Sequence, residues 1–285
     1  MKIDLRCIPC NLSSLLRILD VNNAGEEEKK QVVRTFLKEV AEMDWSDTPI
    51  DIGRKVGEAL KPLFGNHDAF RDVKRLSNRS LMEIYDDLKE ELLKLDDPLL
   101  GALKLSVAGN IIDVAPGHKI DIHKTMKDAL SRPFAIDDLE ELAQRIRSTD
   151  SLLIVGDNCG EAVLDKLLLE LSGVPNSYFS VRTIPALNDI TMREALEIGM
   201  DEVATIIDSG ADAPGAQEKT MQRGFFDVYS RADVVISKGQ GNLEGLSSAK
   251  REIFFLLMAK CDVIGGFLGV PKGSFVAYRK AESRG

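Results

Sequence analysis

Hydrophobic residues recur at three- and four-residue intervals over much of the N-terminal half of the chain, a spacing that places them on one face of a helix. Turn-forming residues interrupt this pattern at 96–98 and 115–117. The most apolar span, 98–113, is expected to form a buried helix. We therefore predict an all-helical region over residues 1–148. The predicted helices cover residues 11–20, 26–43, 49–64, 80–95, 98–113 and 135–148.

The pattern changes beyond residue 148, where short apolar runs alternate with helical spans. Such alternation is typical of βαβ units and therefore of a mostly parallel sheet. We predict an α/β domain over residues 149–285, against which the helical region packs as a cap. The predicted strands cover residues 152–155, 178–181, 203–207, 234–237 and 263–267, and the helices between them cover 161–171, 192–198, 216–223 and 246–259.

Polar and glycine residues stand where four of the predicted strands end. Ligands of open parallel sheets bind in the crevice beyond the carboxyl ends of the strands, so these residues are candidates for a binding site. Glu161 belongs with the first group, since it follows the first turn directly. The candidates are Gly156, Asp157 and Asn158 after the first strand, Arg182, Thr183, Asn188 and Asp189 after the second, Asp208, Ser209 and Gly210 after the third, and Lys238, Gly239, Gly241 and Asn242 after the fourth.

Asp157, Asn158 and Asp208 carry the oxygen donors that a divalent ion such as Mg²⁺ or Mn²⁺ prefers. A tight turn opened by Gly156 would let the first two side chains converge. The alternative is that these residues only cap the helices that follow them, as Asp and Asn often do. Two carboxylates at neighbouring strand ends, with Lys238 opposite, favour the metal site.

The segment from Lys238 to Asn242 predicts an anion site, because Gly239 and Gly241 expose backbone N–H groups at the start of a helix. Lys238 would place a point charge on a phosphate. One alternative is a dinucleotide-binding loop, but the glycine spacing is one residue too long for the usual fingerprint, and Asp262 precedes its apolar run. A plain tight turn is the other alternative.

Further candidates lie outside the strand ends. Asn110 and Asp113 are polar residues one turn apart on the buried helix of the cap, and buried polar groups require partners, so this face is expected to close over the site. Asp189 either caps the helix over 192–198 or serves, like Asp157, as an acid or base. The three histidines, His67, His118 and His123, are expected to be solvated.

Composition excludes several classes of protein. The formal net charge of −9 does not suit a nucleic-acid-binding protein, and no basic amphipathic stretch suits a membrane surface. The longest apolar run, 253–259, is too short for a membrane span. The first residues lack the apolar core of a signal peptide, so we expect a cytoplasmic protein. Cys7 and Cys10 form a Cys-x-x-Cys pair that indicates either a metal or redox role or two buried thiols.

Six motifs resemble the metal-dependent damage-control phosphatases, the family also known as domain of unknown function 89. The likeness is greatest to its archaeal and bacterial branch, which carries an N-terminal Cys-x-x-Cys. The motifs span nearly the whole chain in the family's order. They are "CIPC" at 7–10, "AGNIID" at 108–113, "GDNCGE" at 156–161, "RTIPALND" at 182–189, "DSGADAPG" at 208–215 and "SKGQGN" at 237–242.

The resemblance implies a helical N-terminal part on a three-layer α/β/α domain. It implies hydrolysis of small phosphate monoesters, either sugar phosphates or damaged phosphometabolites, with Mn²⁺, Co²⁺, Ni²⁺ or Mg²⁺ as cofactor. Asp157, Asn158 and Asp208 would be the metal ligands, and Lys238 would contact the transferred phosphoryl group. The alternatives are an NAD-type enzyme, an adenosylmethionine-dependent enzyme such as a carboxylate methyltransferase, and a non-catalytic phosphometabolite-binding protein.

Overall fold

The computed structural model describes residues 1–64, 68–109 and 121–282, with Ile122 and His123 described by their backbone alone. The predictions for Asn110, Asp113, His67 and His118, and for the side chain of His123, lie outside this part of the chain.

Helices form most of the N-terminal region, as predicted. They are α1 (Cys7–Val21), α2 (Glu26–Ala41), α3 (Pro49–Phe64), α4 (Arg71–Met82), α5 (Tyr85–Leu93), α6 (Pro98–Ala108) and α7 (Ile122–Ser131). The turn predicted at 96–98 starts α6: Asp97 Oδ1 accepts a hydrogen bond from the Leu100 N–H at 3.1 Å, and Pro98 occupies the first turn. The single helix predicted over 80–95 is wrong, because α4 ends and α5 begins within that span.

The rest of the described chain alternates strands with helices. In order these are β1 (Phe134–Asp137), α8 (Leu139–Arg147), β2 (Ser151–Val155), α9 (Glu161–Ser172), β3 (Asn176–Val181), α10 (Met192–Glu197), β4 (Thr205–Asp208), α11 (Arg223–Arg231), β5 (Val234–Lys238), α12 (Gly239–Leu246), β6 (Ile253–Met258), α13 (Asp262–Leu268) and β7 (Phe275–Lys280).

These strands form one seven-stranded sheet with the order β1-β7-β6-β5-β2-β3-β4. Every neighbouring pair is parallel except β6 and β7. The central strand β2 is level with both of its neighbours, since Val155 pairs with Ser180 of β3 and with Ser237 of β5. The carboxyl ends of β5, β2, β3 and β4 therefore share one edge of the sheet, as the sequence predicts.

Helices cover both faces of the sheet, which confirms the three-layer α/β/α architecture. Successive residues of a strand point to opposite faces. Leu152 and Ile154 accordingly pack in a core with α5, α6, α8 and α9, whereas Leu153 and Val155 pack with α11, α12 and α13 on the other face. A third core lies within α1, α2 and α3. The first core contains residues from both sides of position 148, and the domain boundary proposed there stays a prediction.

Two predicted elements near the C-terminus are exchanged. Residues 246–259 were expected to be helical and 263–267 to be a strand, but the structure places β6 within the first span and α13 over the second. Both predictions are wrong. The apolar residues of β6 follow one another without alternation because β6 is buried on both faces, as they also do in a buried helix, and α13 has only 7 residues, too few to show a helical period.

Other departures concern short elements. The region predicted to be all-helical contains β1, and the helix expected over 135–148 begins only with α8. The helix expected over 216–223 is wrong: that span holds a 3₁₀ turn at Glu218–Thr220, and α11 follows it. Among the described residues, no helix combines the length and apolar composition that a membrane crossing would require.

Candidate active site

The turn between β2 and α9 positions Asp157 and Asn158. It is held by the loop that follows β3: the Ile190 N–H donates to the Asp157 carbonyl at 2.8 Å, and the Cys159 N–H donates to the Asn188 carbonyl at 2.9 Å. The N-cap of α9 is Gly160, and no side chain caps this helix. The alternative in which Asp157 and Asn158 merely cap α9 is therefore wrong.

Two glycines make the close approach of these backbones possible. Gly160 has φ +79°, a conformation that favours glycine, and its N–H donates to Asn78 Oδ1 of α4 at 2.6 Å. Gly239 has φ +76°, and a Cβ there would lie 1.9 Å from Asp157 Oδ2. The Asp157 carboxylate thus rests directly against the backbone at the junction of β5 and α12.

Two acidic side chains and one amide are in contact after the end of β2, with a third acidic residue beside them. Asn158 Nδ2 donates to Asp157 Oδ2 at 2.7 Å and to Glu161 Oε2 at 3.3 Å. Asp157 and Glu161 are 7% and 3% exposed, and Asp189 is 3% exposed. Asn158 also forms an isolated β-bridge with Asp189, which brings the third carboxylate alongside.

Arg182 is the cation beside these carboxylates. Its Nε donates to Asp189 Oδ2 at 2.7 Å, and its Nη2 lies 3.5 Å from Asp157 Oδ1. The side chain is 1% exposed, and neither Nη1 nor Nη2 has a hydrogen-bond partner among the described residues. Buried guanidinium N–H groups are normally satisfied, so these two nitrogens have the chemistry to bind an anionic ligand.

Lys238 lies on the other side of Glu161 and is fully buried. Its Nζ donates to Asp165 Oδ1 at 2.6 Å and to the Ser106 carbonyl at 3.1 Å, and it lies 2.7 Å from Glu161 Oε1. The sequence predicts that this ammonium group faces a phosphate. In the structure it points between α6 and α9, and the phosphate contact stays a prediction.

Burial and like charge act together on the acidic groups. Burial, with the carboxylates of Asp189 and Glu161, raises the pKa of Asp157 well above its usual value. Burial also raises the pKa of Asp189, although Arg182 opposes it. Burial disfavours the charged form of Lys238, but its two carboxylate partners outweigh that effect and raise its pKa. Burial and crowding therefore disfavour ionisation of Asp157 and Asp189, a penalty that a bound cation would relieve.

Asp208 is set apart from this group. It ends β4, and β3 lies between β4 and β2, so the two strand backbones are about 10 Å apart. The expectation that Asp157 and Asp208 stand at neighbouring strand ends is wrong. The Asp208 carboxylate is partly exposed and accepts hydrogen bonds from Thr183 Oγ1 and, at 2.9 Å, from the Gly210 N–H.

The residues proposed as metal ligands thus form a pair and a single residue. Asp157 and Asn158 are in contact, whereas Asp208 ends β4, on the other side of β3. Within residues 1–64, 68–109 and 121–282, no three His, Cys, Asp or Glu side chains cluster closely enough to hold a metal ion. The expected set includes only two such residues, and its role in metal binding stays a prediction.

Several candidates hold the sheet edge together through their side chains. Asn242 is buried; its Nδ2 donates to the Lys238 carbonyl at 2.7 Å and its Oδ1 accepts from the Ala216 N–H at 2.8 Å. Ser209 Oγ donates to the Val181 carbonyl at 2.6 Å. A Cβ at Gly241 would lie 2.1 Å from the Pro214 carbonyl oxygen, so this glycine allows close packing of α12.

The sequence predictions omitted Asp165 and Ser106, which enclose Lys238, and Asn78, which holds Gly160. A signal for Asp165 existed. Glu161 and Asp165 are four residues apart on α9 and so share one face, where like charges repel unless a cation lies between them. That arrangement predicts a buried cation opposite α9. Ser106 and Asn78 have no comparable signal, because each acts on a group distant in sequence.

A cavity of about 380 Å³ lies between α1, α3 and the loops that follow β3 and β4. Ile184, Leu187 and Pro214 line it on the sheet side, and Arg54 and Leu60 line it on the side of the cap. Leu187 has φ +50°, a strained conformation for a non-glycine residue, directly before Asn188 and Asp189.

Comparisons with known proteins agree with this architecture. Residues 3–276 match the family model described as the damage-control phosphatase ARMT1-like domain. The chain is 31% identical over 285 residues to a damage-control phosphatase of Pyrococcus horikoshii, covering 98% of each protein. It is 28% identical over 294 residues to a damage-control phosphatase of Archaeoglobus fulgidus, covering 97% of this chain and 99% of that protein. The crystal structure of a DUF89 family protein from Pyrococcus horikoshii matches with a TM-score of 0.90 and 28% identity, covering 98% of this chain and 99% of that chain.

Proposed function

The chain belongs to the family of damage-control phosphatase ARMT1-like domains, and on that premise we propose that it is a phosphatase that hydrolyses small phosphate monoesters with the help of a divalent cation. The names of two relatives, both damage-control phosphatases, support the activity. One structural observation carries the proposal: crowded carboxylates around Asp157, which suit a cation, adjoin Arg182, whose two terminal nitrogens suit an anion.

The residues at the sheet edge fit a hard or borderline divalent ion. Asp157 and Asn158 from the turn after β2, with Asp208 at the end of β4, would hold it through oxygen atoms, as Mn²⁺, Co²⁺, Ni²⁺ and Mg²⁺ accept. When bound, such a cation neutralises phosphate charge and makes water a better nucleophile. The excess of buried carboxylate around Asp157 is the feature of this chain that favours a cation there.

The protein's own groups would bind and orient the phosphoryl group. Arg182 offers two terminal N–H groups in a fixed plane, because its Nε is held by Asp189. The backbone N–H groups at the start of α12, from Gly239 to Asn242, add the positive end of a helix. Asp189 would therefore orient Arg182, in addition to its expected role as an acid or base. Lys238 reaches a phosphate oxygen only if it releases one of its present partners.

The organic part of the substrate would lie in the cavity between the cap and the loops after β3 and β4. The first loop carries Asp189 and the second begins directly after Asp208, so a molecule in the cavity would approach the same edge of the sheet. The substrate class would be sugar phosphates or damaged phosphometabolites of similar size. Arg54 and Asp212 offer polar contacts there, beside apolar side chains such as Leu60 and Ile184.

The glycines after β5 do not favour a dinucleotide site. Gly241 packs against the Pro214 carbonyl, and a Cβ at Gly245 would lie 2.0 Å from the Ala216 carbonyl oxygen. Close packing of α12 therefore explains both positions without a cofactor. Asp262 follows β6 and begins α13, so the expectation that it precedes a strand is wrong, and a dinucleotide site is disfavoured by the packing of Gly241 and Gly245 alone.

The proposal is tested by metal removal. Protein treated with a chelator and then desalted should release no phosphate from p-nitrophenyl phosphate, and added Mn²⁺, Co²⁺, Ni²⁺ or Mg²⁺ should restore release. A panel of sugar phosphates assayed with each metal would then define the substrate. Full activity in the chelated protein would contradict the metal-dependent mechanism. Stabilisation by phosphate esters without turnover would instead indicate a non-catalytic binding protein.

A further inference from the structure

Lys238 is fixed by more than one group. An ammonium group has three N–H donors, and three protein oxygens surround this one within 3.1 Å: Asp165 Oδ1, Glu161 Oε1 and the Ser106 carbonyl. The lysine is fully buried, as is Ser106. The ammonium group therefore cannot turn towards another partner unless one of these contacts breaks.

Asp165 is the residue that anchors this arrangement. It is 1% exposed, and its Oδ1 accepts from Lys238 Nζ at 2.6 Å and from Ser106 Oγ at 2.6 Å. Burial raises the pKa of the Asp165 carboxyl, and the nearby Lys238 ammonium opposes that rise. Ser106 belongs to α6 and Asp165 to α9, so the carboxylate links two packed helices to the end of β5.

The effect of Lys238 reaches the proposed metal ligands through Glu161. One carboxylate oxygen of Glu161 lies 2.7 Å from Lys238 Nζ, and the other accepts from Asn158 Nδ2 at 3.3 Å. The same Asn158 amide donates to Asp157 at 2.7 Å. The ammonium group thus helps to orient the Glu161 carboxylate, and Glu161 and Asp157 both help to orient the Asn158 amide.

We propose that Asp165 is a positioning residue of this site: it holds Lys238 against Glu161, which in turn orients Asn158 beside Asp157. This inference rests on the proposed metal site. A purely structural role does not account for the charges, because a buried ion pair is often no more stabilising than apolar residues of the same shape. The neighbouring positions of α9, including Leu164 and Leu168, are filled by apolar side chains in the core.

The test compares substitutions of Asp165 and of its hydrogen-bond partner Ser106. Asp165→Asn removes the charge and keeps the shape, and Ser106→Ala removes only one hydrogen bond to the same carboxylate. The matched control is Glu170→Gln, since Glu170 also lies on α9 and pairs with a lysine, Lys89, at 2.6 Å. Each protein is stripped of metal, titrated with Mn²⁺ in a calorimeter, and loaded with Co²⁺ to record its visible absorption, which reports ligand geometry.

We expect Asp165→Asn to weaken Mn²⁺ binding by about 10-fold or more, as the loss of groups that orient metal ligands does. Its Co²⁺ spectrum should change, whereas Glu170→Gln should keep both the affinity and the spectrum of the unmodified protein. Ser106→Ala should weaken binding to a smaller extent. If Asp165 acts through Lys238, the double variant Asp165→Asn, Lys238→Met should bind Mn²⁺ no more weakly than Lys238→Met alone.

The outcomes separate this inference from the proposed function. Unmodified protein that binds no divalent cation would overturn the metal site and the role of Asp165 together. Unmodified protein that binds Mn²⁺, with Asp165→Asn binding equally well, would overturn only the role of Asp165. If Asp165→Asn does not fold, Ser106→Ala decides: weaker binding supports the proposal, and unchanged binding overturns it. Additive losses in the double variant would overturn the route through Lys238.

Discussion

Asp157 follows β2 and Asp208 ends β4. The sequence predicts the same role, metal binding, for both aspartates, but their surroundings in the structure differ. Asp157 follows the central strand, is 7% exposed, and is packed against other carboxylates. Asp208 ends the edge strand, is partly exposed, and accepts its hydrogen bonds from Thr183 and Gly210, which lie in the loops after β3 and β4. A metal site that spans β3 would therefore have a preorganised half around Asp157 and an adjustable half around Asp208.

The difference assigns separate tasks to the two halves. The central half keeps negative charge buried at a cost in stability, an arrangement that is common where a protein binds ligands or reacts. The edge half can adapt, because loops at an edge strand open at lower cost than a buried turn. A cation held by both halves would draw the loop after β4 towards a fixed centre.

The largest effect is expected from Asp157→Asn. This change removes a proposed ligand from the rigid half, and the phosphatase rate with Mn²⁺ should fall about 10²–10³-fold, as the loss of one preorganised group does. The metal-free variant should have a higher Tm than the unmodified protein, because burial no longer disfavours an ionised group. Assays of phosphate release and thermal unfolding measure the two effects. A variant with normal activity would show that the cation does not bind at Asp157.

A smaller effect is expected from Asp208→Asn. The amide oxygen can still accept from Thr183 and Gly210, so the fold and the Tm should change little. Mn²⁺ affinity should fall about 10-fold or more, since one ligand loses its charge. Calorimetric titration beside the Asp157 variant gives the comparison. A rise in Tm as large as that of Asp157→Asn would mean that the two aspartates are buried alike.

The smallest effect is expected from Glu244→Gln, which tests burial of a carboxylate apart from the site. Burial raises the pKa of Glu244 from 4.5 to about 7. Because the folded state holds this proton more tightly, stability is full below the unfolded value, falls as the pH rises towards 7, and then levels off. Glu244→Gln should therefore raise Tm by a few degrees at pH 8 and much less at pH 4.

Phosphate release provides the control for that variant. Glu244 lies on α12, where its carboxylate interacts with the N-terminal ammonium group and with Gln240, whose Nε2 donates to it at 3.0 Å. The rate with Mn²⁺ should therefore match that of the unmodified protein at every pH. A changed rate would show that Glu244 affects the candidate site. The variant would then not separate the effect of burial from that of ligand binding.

The sequence was sufficient to place several candidate residues at one edge of the sheet. Buried parallel strands end in polar residues only where the chain leaves the core, so Asp157, Asn158, Arg182 and Lys238 could be assigned to one edge by pattern alone. Which of them would touch could not be predicted. The order of strands is set by packing between distant segments, and it decides that β3 separates Asp208 from Asp157.

The errors near the C-terminus have a related origin. The pattern of apolar residues reports burial, and β6 and α13 are both short and apolar, so periodicity could not tell strand from helix. The strands β1 and β7 were missed because they pair across a long stretch of sequence: Phe134 of β1 is opposite Phe275 of β7. The spacing of Glu161 and Asp165 on α9 indicates a cation between them, but the contact of Lys238 with Ser106 could not be predicted, since Ser106 approaches it from another helix.

Contacts between α3 and the loop after β4 give the cap a thermodynamic connection to the edge strand. Arg54 of α3 donates to Asp212 at 2.9 Å and to Gln217 at 2.8 Å, and Lys219 donates to Asp51 of the same helix at 2.8 Å. A ligand that orders the loop after Asp208 should also stabilise α3, because these hydrogen bonds and ion pairs join the two segments. The amide hydrogens of α3 would then exchange with solvent more slowly when a ligand is bound at the ends of β2 and β4. Hydrogen exchange in α3 would therefore report ligand binding.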